Sequence, residues 1–186
     1  MPRSKIQFEQ MKDERKASIL NAALVLFSLY ENKVTIDMIS NKAKCSHGLV
    51  YHYYDNVDDV LIDLKNSDSY SNIKNSLAKI DTNISAFKNI ENIIKALDSF
   101  NKINDIAFAN LILLEKDKNS FYDILIKLIK KSQNENEIIN GLPNDIANNI
   151  ILIYKGYYLS YLLNKKTSVV KPDVNYVIDT FKKYNY

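Results

Sequence analysis

The sequence predicts an all-α protein, and two observations carry the prediction. Glycine and proline each occur three times in 186 residues, too few for the turns of a sheet-rich fold or for a glycine-rich phosphate loop. Apolar residues instead recur with a helical period along almost every segment, the mark of helices that bury one stripe. A chain of this length fills one or two domains with a core of their own. Its 46% hydrophobic and 25% charged residues are those of a globular protein rather than a disordered one. The single cysteine, Cys45, excludes an internal disulfide, and with two histidines it offers no clustered zinc site. The first twenty residues lack an apolar signal core. The longest apolar stretch, Ile150 to Leu163, is interrupted by Lys155 and falls short of the about 20 residues a bilayer span needs. A soluble protein of the cytoplasm is expected.

The elements follow in order. A flexible basic arm over 1–12 precedes helix one, over about Asp13 to Tyr30, where Ile19, Ala22, Ala23, Leu26, Phe27 and Tyr30 form one stripe. Asn32, just beyond, suits the left-handed position that ends a helix. Thr35 caps a short second helix carrying Ile36, Ile39 and Ala43, with Asp37 favourable in its first turn. Ser46 caps a third helix to about Tyr53. Asn56 caps a fourth, with Asp58 and Asp59 in its first turn, running toward Ile80 with polar Asn66 to Asn72 as a break or hinge. Ile84, Phe87, Ile90, Ile94 and Leu97 mark the next stripe. Ile106 to Glu115 is apolar on nearly all sides and predicts a buried helix. Ser120 caps a helix with Leu125, Leu128 and Ile129 inside, and Ser132 to Glu137 is a polar connection. Pro143 starts a long helix to about Asn164, as the first helical turn permits. Pro172 opens a last helix with Val174, Val177, Ile178 and Phe181 on a shared face.

Between Thr35 and Tyr53, a short helix, a turn of about three residues and another short helix make the layout of a helix-turn-helix. Such a unit lays its second helix in the DNA major groove. The residues add detail to that layout. Thr35, Ile39-Ser40, Ser46, Gly48, Val50-Tyr51 and Tyr54, then Asp58 and Leu61, stand at fixed spacing behind a first helix with Ile19, Ala22, Ala23, Leu26 and Phe27 in its core. Over about residues 13–62 this pattern resembles the N-terminal domain of the TetR family of bacterial transcriptional regulators. Two positions and one loop length depart from the family. Lys44 replaces the turn glycine, Val57 replaces a lysine near the start of helix four, and the loop after helix one is one residue shorter. Residues 1–54 hold eight basic and five acidic side chains, whereas 55–63 hold four aspartates and no base. The edge around Asp55, Asp58 and Asp59 therefore meets phosphate less readily.

The resemblance implies a helix-turn-helix DNA-binding domain over 1–56 and a helical-bundle effector-binding and dimerisation domain over 57–186. It implies a sequence-specific regulator, a repressor released by a small molecule, working as a homodimer on a double-stranded DNA operator, without cofactor, metal or membrane. Side-chain chemistry suits those roles. Thr35, Ser46 and Tyr51 carry hydroxyls for phosphate, and Lys42 and Lys44 add charge. His47, Leu49 and His52 stand beside Gly48 as candidates for base edges; Leu49 suits thymine methyls, and an imidazole can donate to guanine. The recognition helix has no arginine, so an operator read partly through AT-rich shape is expected, with Lys5, Lys12, Arg15 and Lys16 near the backbone. Ile153, Gly156, Tyr157, Leu159 and Ser160 of the long helix, with Val174, Val177, Ile178 and Phe181 of the last, are expected to form half of an intersubunit four-helix bundle. Phe87, Phe100, Phe108, Tyr122 and Tyr154 are expected to line a pocket for a small apolar or aromatic effector. The chain has no nucleotide loop, HExxH or nucleophile elbow. Two other classes stay open: an all-α adaptor with a non-binding helix-turn-helix, and a small all-α enzyme built from scattered residues.

Overall fold

The computed structural model describes residues 5–164 and 169–183. Among the described residues are ten α-helices and no strand. They are α1 (Lys5–Tyr30), α2 (Ile36–Ala43), α3 (His47–Tyr53), α4 (Val57–Lys65), α5 (Asp68–Leu77), α6 (Ala86–Ser99), α7 (Ile103–Leu113), α8 (Phe121–Asn134), α9 (Pro143–Leu163) and α10 (Val174–Asp179), with a 3-10 turn at Glu31–Lys33. The all-α expectation holds. No helix of the described residues is long and apolar enough to cross a membrane. The chain divides into two compact units, Met1–Tyr70 and Ser71–Tyr186.

In the first unit α1 packs on α2 and α4, and α2 on α3. Ile19, Ala23, Leu26 and Phe27 of α1 are buried with Ile39, Val50, Val60 and Leu64, one or two from each partner helix. The expected stripe is thus the core, although Tyr30 at its end is exposed. Helix α1 begins at Lys5 rather than near Asp13. Residues 5–12, expected as arm, contain good helix formers and no glycine or proline; residues 1–4 and the side chain of Lys5 lie outside the described residues. The left-handed residue after α1 is Glu31, at φ 54°, not Asn32. The polar stretch after α4 does break the helix: Ser67 Oγ accepts from the Tyr70 amide at 3.2 Å and restarts the chain as α5. Helix α4 packs on α1 and lies in the first compact unit, which ends at Tyr70.

In the second unit α6 packs on α8 and α10, and α9 packs on α7 and α8. Ile106 to Leu113 of α7 are all buried, Asn110 among them, as the otherwise apolar stretch requires. Helix α8 continues through Ser132 to Asn134, so the polar connection begins only at Glu135, with Asn136 at φ 57°. Three tyrosines along α9 donate to backbone carbonyls in the second half of α6 and just beyond it: Tyr154 to Ile94 at 3.3 Å, Tyr158 to Leu97 at 2.6 Å and Tyr161 to Asn101 at 2.8 Å. Carbonyls in a helix's last turn lack intrahelical partners, and these hydroxyls supply some. Burial pushes the Tyr154 and Tyr158 hydroxyls well above the usual phenol range, which keeps them as donors.

Helix α10 is capped by Asp173, whose carboxylate accepts from the Tyr176 amide at 2.9 Å, and starts after Pro172 rather than at it. Its apolar stripe is already used within its own unit. Val177, Ile178 and Phe181 are buried, Phe181 packs edge-on against Phe87 with ring centres 6.3 Å apart, and the Phe181 carbonyl accepts from the Ile139 amide at 2.9 Å. These three residues, expected on a partner-facing stripe, are therefore not available to a partner. A six-residue helix has a single apolar face, and here α6 covers it.

Candidate nucleic-acid interface

Helix α3 is short, so its placement depends on its ends. At its start Ser46 Oγ accepts from the Leu49 amide at 3.2 Å, as Thr35 Oγ1 does from Met38 at the start of α2. Both are N-caps of the kind that contributes about 1 kcal/mol. Between the two helices Lys44 adopts the left-handed conformation, φ 55° and ψ 46°. Its amide donates to the Asn41 carbonyl at 3.3 Å and the Cys45 amide to Ser40 at 3.0 Å. That pair of bonds is a Schellman motif, in which glycine is the usual residue. Cys45 is half-buried in this turn and burial pushes its thiol up, so it packs rather than reacts.

The far end of α3 is tied at two points. Tyr53 Oη donates to the Lys12 carbonyl of α1 at 3.1 Å. Tyr54, buried just past the helix, donates its hydroxyl to Asp63 Oδ2 of α4 at 2.7 Å. Lys16 Nζ lies 2.8 Å from the same carboxylate oxygen and 5.7 Å from the centre of the Tyr54 ring. Lys16 and then Tyr54 hold the Asp63 carboxyl below the usual aspartate range. Lys16, expected near a DNA backbone, is thus engaged with Asp63 inside the unit. Tyr53 and Asp63 had no signal in the sequence beyond hydrophobic or charged character, because their partners lie on other helices.

With Val50 buried and both ends tied, α3 presents an exposed face. Ser46, His47, Gly48, Tyr51 and His52 are exposed, as are Thr35 and Lys44; Leu49 is half-buried. His47 and Tyr51, and likewise Gly48 and His52, are four residues apart and share helix sides. A Cβ built on Gly48 would meet no atom within 4 Å, and its φ is ordinary. The chain's own fold therefore does not require glycine there. Arg15 of α1 lines a hollow of about 440 Å³ with Lys44, Ser46 and Leu49, and Lys12 lines a neighbouring one with Phe8, Leu49, His52 and Tyr53. These two cations flank α3. Asp55 and Asp58 are exposed, and Asp59 contributes its amide to the Asn56 cap at 3.0 Å.

The residues expected around an effector do not converge at one place. Phe87 and Phe100 stand at opposite ends of α6, about 20 Å apart at the helical rise of 1.5 Å per residue, and Phe87 belongs with Phe181. Phe108 and Tyr154 are buried on α7 and α9, whereas Phe100 and Tyr122 are half-buried. On α9 the apolar side chains reaching solvent are Leu152 (62% exposed) and Leu163 (60%), with Ile153, Tyr157, Leu159 and Ser160 half-buried. Gly156 lies exposed between Leu152 and Ser160, and a Cβ there would again meet nothing within 4 Å. Among the described residues no group of three or more His, Cys, Asp or Glu side chains is placed to hold a metal ion.

No family model matches the chain, and no curated protein sequence matches it. Solved structures do. A protein described as a TetR family transcription regulator from Shewanella aligns over 91% of this chain and 99% of its own, at 12% identity and a TM-score of 0.55. SmeT, in complex with triclosan, aligns over 91% and 92% at 15% identity and a TM-score of 0.53. NalD of Pseudomonas aeruginosa, the secondary repressor of a multidrug efflux pump, aligns over 91% and 95% at 13% identity and a TM-score of 0.51. The chain has the all-α fold of the TetR-family transcriptional regulators.

Proposed function

We propose that this chain is a sequence-specific DNA-binding transcriptional regulator rather than an enzyme, a cytoplasmic repressor that a small molecule releases from its operator. The observation that carries the reading is the exposed face of α3. Five side chains or backbone positions with hydrogen-bonding or close-approach character, Ser46, His47, Gly48, Tyr51 and His52, project from a helix tied to α1 and α4. Exposed polar groups on a rigid element are what base and phosphate contacts need. In this reading His47, Leu49 and His52 face bases, while Thr35, Ser46, Tyr51, Lys44, Lys12 and Arg15 meet phosphates. Residues 1–56 read DNA, and 57–186 bind the effector and a second copy of the chain. The exposed Asp55 and Asp58 make the edge beyond α3 meet phosphate less readily.

The homodimer is carried by α9. Leu152, Gly156, Leu159 and Leu163 follow one another at helical spacing on its outer side, and a glycine unneeded by its own unit allows close approach of a partner helix. The α10 part of the expected interface reduces to Val174. The effector expected for the helical domain is an apolar or aromatic molecule, and SmeT, of like fold, is known in complex with triclosan. Such a molecule releases DNA only by binding the non-DNA-binding conformation more tightly.

A gel shift with duplex DNA from upstream of its own gene tests the reading. A salt-sensitive, sequence-specific shift that weakens with Tyr51→Ala and His47→Ala is expected. A shift that is absent, or identical with unrelated DNA of equal length, refutes it in favour of an interaction protein.

A further inference from the structure

Asn140 precedes Gly141 in the connection between α8 and α9, the one Asn–Gly pair in the sequence. Both residues are exposed and lie outside any helix. The chain around them is held. The Ile139 amide donates to the Phe181 carbonyl at 2.9 Å, and Gln133 Nε2 donates to the carbonyls of Ile139 at 3.1 Å and Gly141 at 3.0 Å. Among the described residues, neither the Asn140 side chain nor the Gly141 N–H has a hydrogen-bond partner within the protein. In this the pair differs from the three Asn–Ser pairs of the sequence. The Ser67 amide donates to the Leu64 carbonyl at 3.2 Å and the Ser120 amide to Asp117 at 2.9 Å, while Ser76 lies within α5. Each of those amides is committed to the backbone.

We propose that Asn140 and Gly141 form a self-modification site, at which Asn140 deamidates through a cyclic imide. The Gly141 backbone nitrogen, on losing its proton, attacks Cγ of Asn140. The new N–Cγ bond closes a five-membered ring, the Cγ–Nδ2 bond breaks, and the side-chain nitrogen leaves as ammonia with the proton returned to it. Water then adds to either ring carbonyl. Opening at Cγ leaves aspartate; opening at the main-chain carbonyl leaves isoaspartate, whose chain runs through the side chain. The attack is intramolecular, so its rate depends on whether the nitrogen can reach the carbonyl. Glycine has no Cβ to obstruct that approach, and an amide that serves no carbonyl is free to turn. Either product adds one negative charge. Isoaspartate also inserts one carbon between the carbonyls of Ile139 and Gly141, which Gln133 holds at a single nitrogen, and so opens that clamp.

Peptide mapping of the full chain, kept folded in mildly alkaline buffer and sampled over time, tests this. The peptide carrying Asn140 should gain one mass unit and split into aspartyl and isoaspartyl forms, told apart by electron-transfer fragmentation. Asn66, Asn75 and Asn119 should stay intact until urea unfolds the chain. An Asn140 that persists in the folded chain while the same segment reacts as a free peptide overturns the proposal. Equal loss at an Asn–Ser pair in the folded chain overturns the role of the free amide. A Cβ at position 141 meets only an ordinary contact, 3.8 Å from Ile146 Cδ1. Gly141→Ala should therefore fold as wild type by circular dichroism and deamidate about tenfold more slowly, a barrier rise of about 1.4 kcal/mol. An unchanged rate overturns the part given to glycine. Asn140→Gln, with its carbonyl one carbon further out, should abolish the change at 140; a change that continues there overturns the ring closure. The isoaspartyl fraction, isolated by ion exchange, should melt below the aspartyl one, and equal Tm values overturn the loss of the clamp. None of these outcomes depends on DNA binding.

Discussion

Replacing Gly48 by alanine separates what the fold needs from what a bound surface needs. Gly48 sits in the first turn of α3 with an ordinary φ, and an added Cβ would meet no heavy atom within 4 Å. The substitution therefore introduces no clash and removes glycine's backbone entropy penalty, a gain of about 0.5–1 kcal/mol. In a unit of about 70 residues, where 1 kcal/mol moves Tm by about 4–8 °C, this corresponds to a rise of about 2–8 °C. Circular dichroism during thermal unfolding reads it directly. If α3 approaches DNA closely, the same methyl sits in a tight contact, where overpacking costs about 1–3 kcal/mol. Affinity for the upstream duplex should then fall about 5- to 150-fold. A lower Tm would refute the open geometry at Gly48. A higher Tm with unchanged DNA affinity would refute the placement of Gly48 at a contact.

Lys44→Gly should also stabilise the first unit, by about 0.5–1 kcal/mol, because a left-handed L-residue costs about 1–2 kcal/mol and glycine's added freedom returns part of that. Lys44→Ala keeps the strain, so an equal gain in urea unfolding with alanine would assign the effect to charge instead. Lys16→Met should raise the pH at which the first unit loses structure. The Asp63 carboxyl is held low in the folded state, so its stabilising contribution is present above about pH 4 and is lost as pH falls through the folded value. An unchanged acid midpoint, followed by circular dichroism, would show that the pair contributes nothing. Leu152→Glu, at a side chain already 62% exposed, should leave the unfolding free energy of the monomer within about 0.5 kcal/mol of wild type and convert a dimer to monomer by light scattering. A dimer that survives it places the interface elsewhere.

Much of the candidate interface was legible because helix-turn-helix geometry is local. Thr35, Ser46 and Asn56 cap helices through side chains that reach three residues along the chain, and Ile19, Ala23 and Phe27 line one face by period alone. The misread positions share a cause. Lys16 was expected near a DNA backbone, and α4 brings Asp63 beside it; Val177, Ile178 and Phe181 looked like a partner-facing stripe until α6 covered them. An apolar stripe specifies that something must cover it, never which surface does.

Local periodicity, capping residues and glycine scarcity were enough to determine an all-α chain with a helix-turn-helix near its start, since each depends on neighbours within about four residues. Lys44 shows the limit. The sequence marks it as a departure from glycine, but only the backbone shows that it adopts the left-handed conformation all the same. Tertiary structure alone decided which charges are engaged and which are offered. Tyr54, Lys16 and Asp63 come from three segments; their meeting depends on how helices cross. Crossing is set by side-chain packing summed over whole faces, which no single stretch of sequence contains.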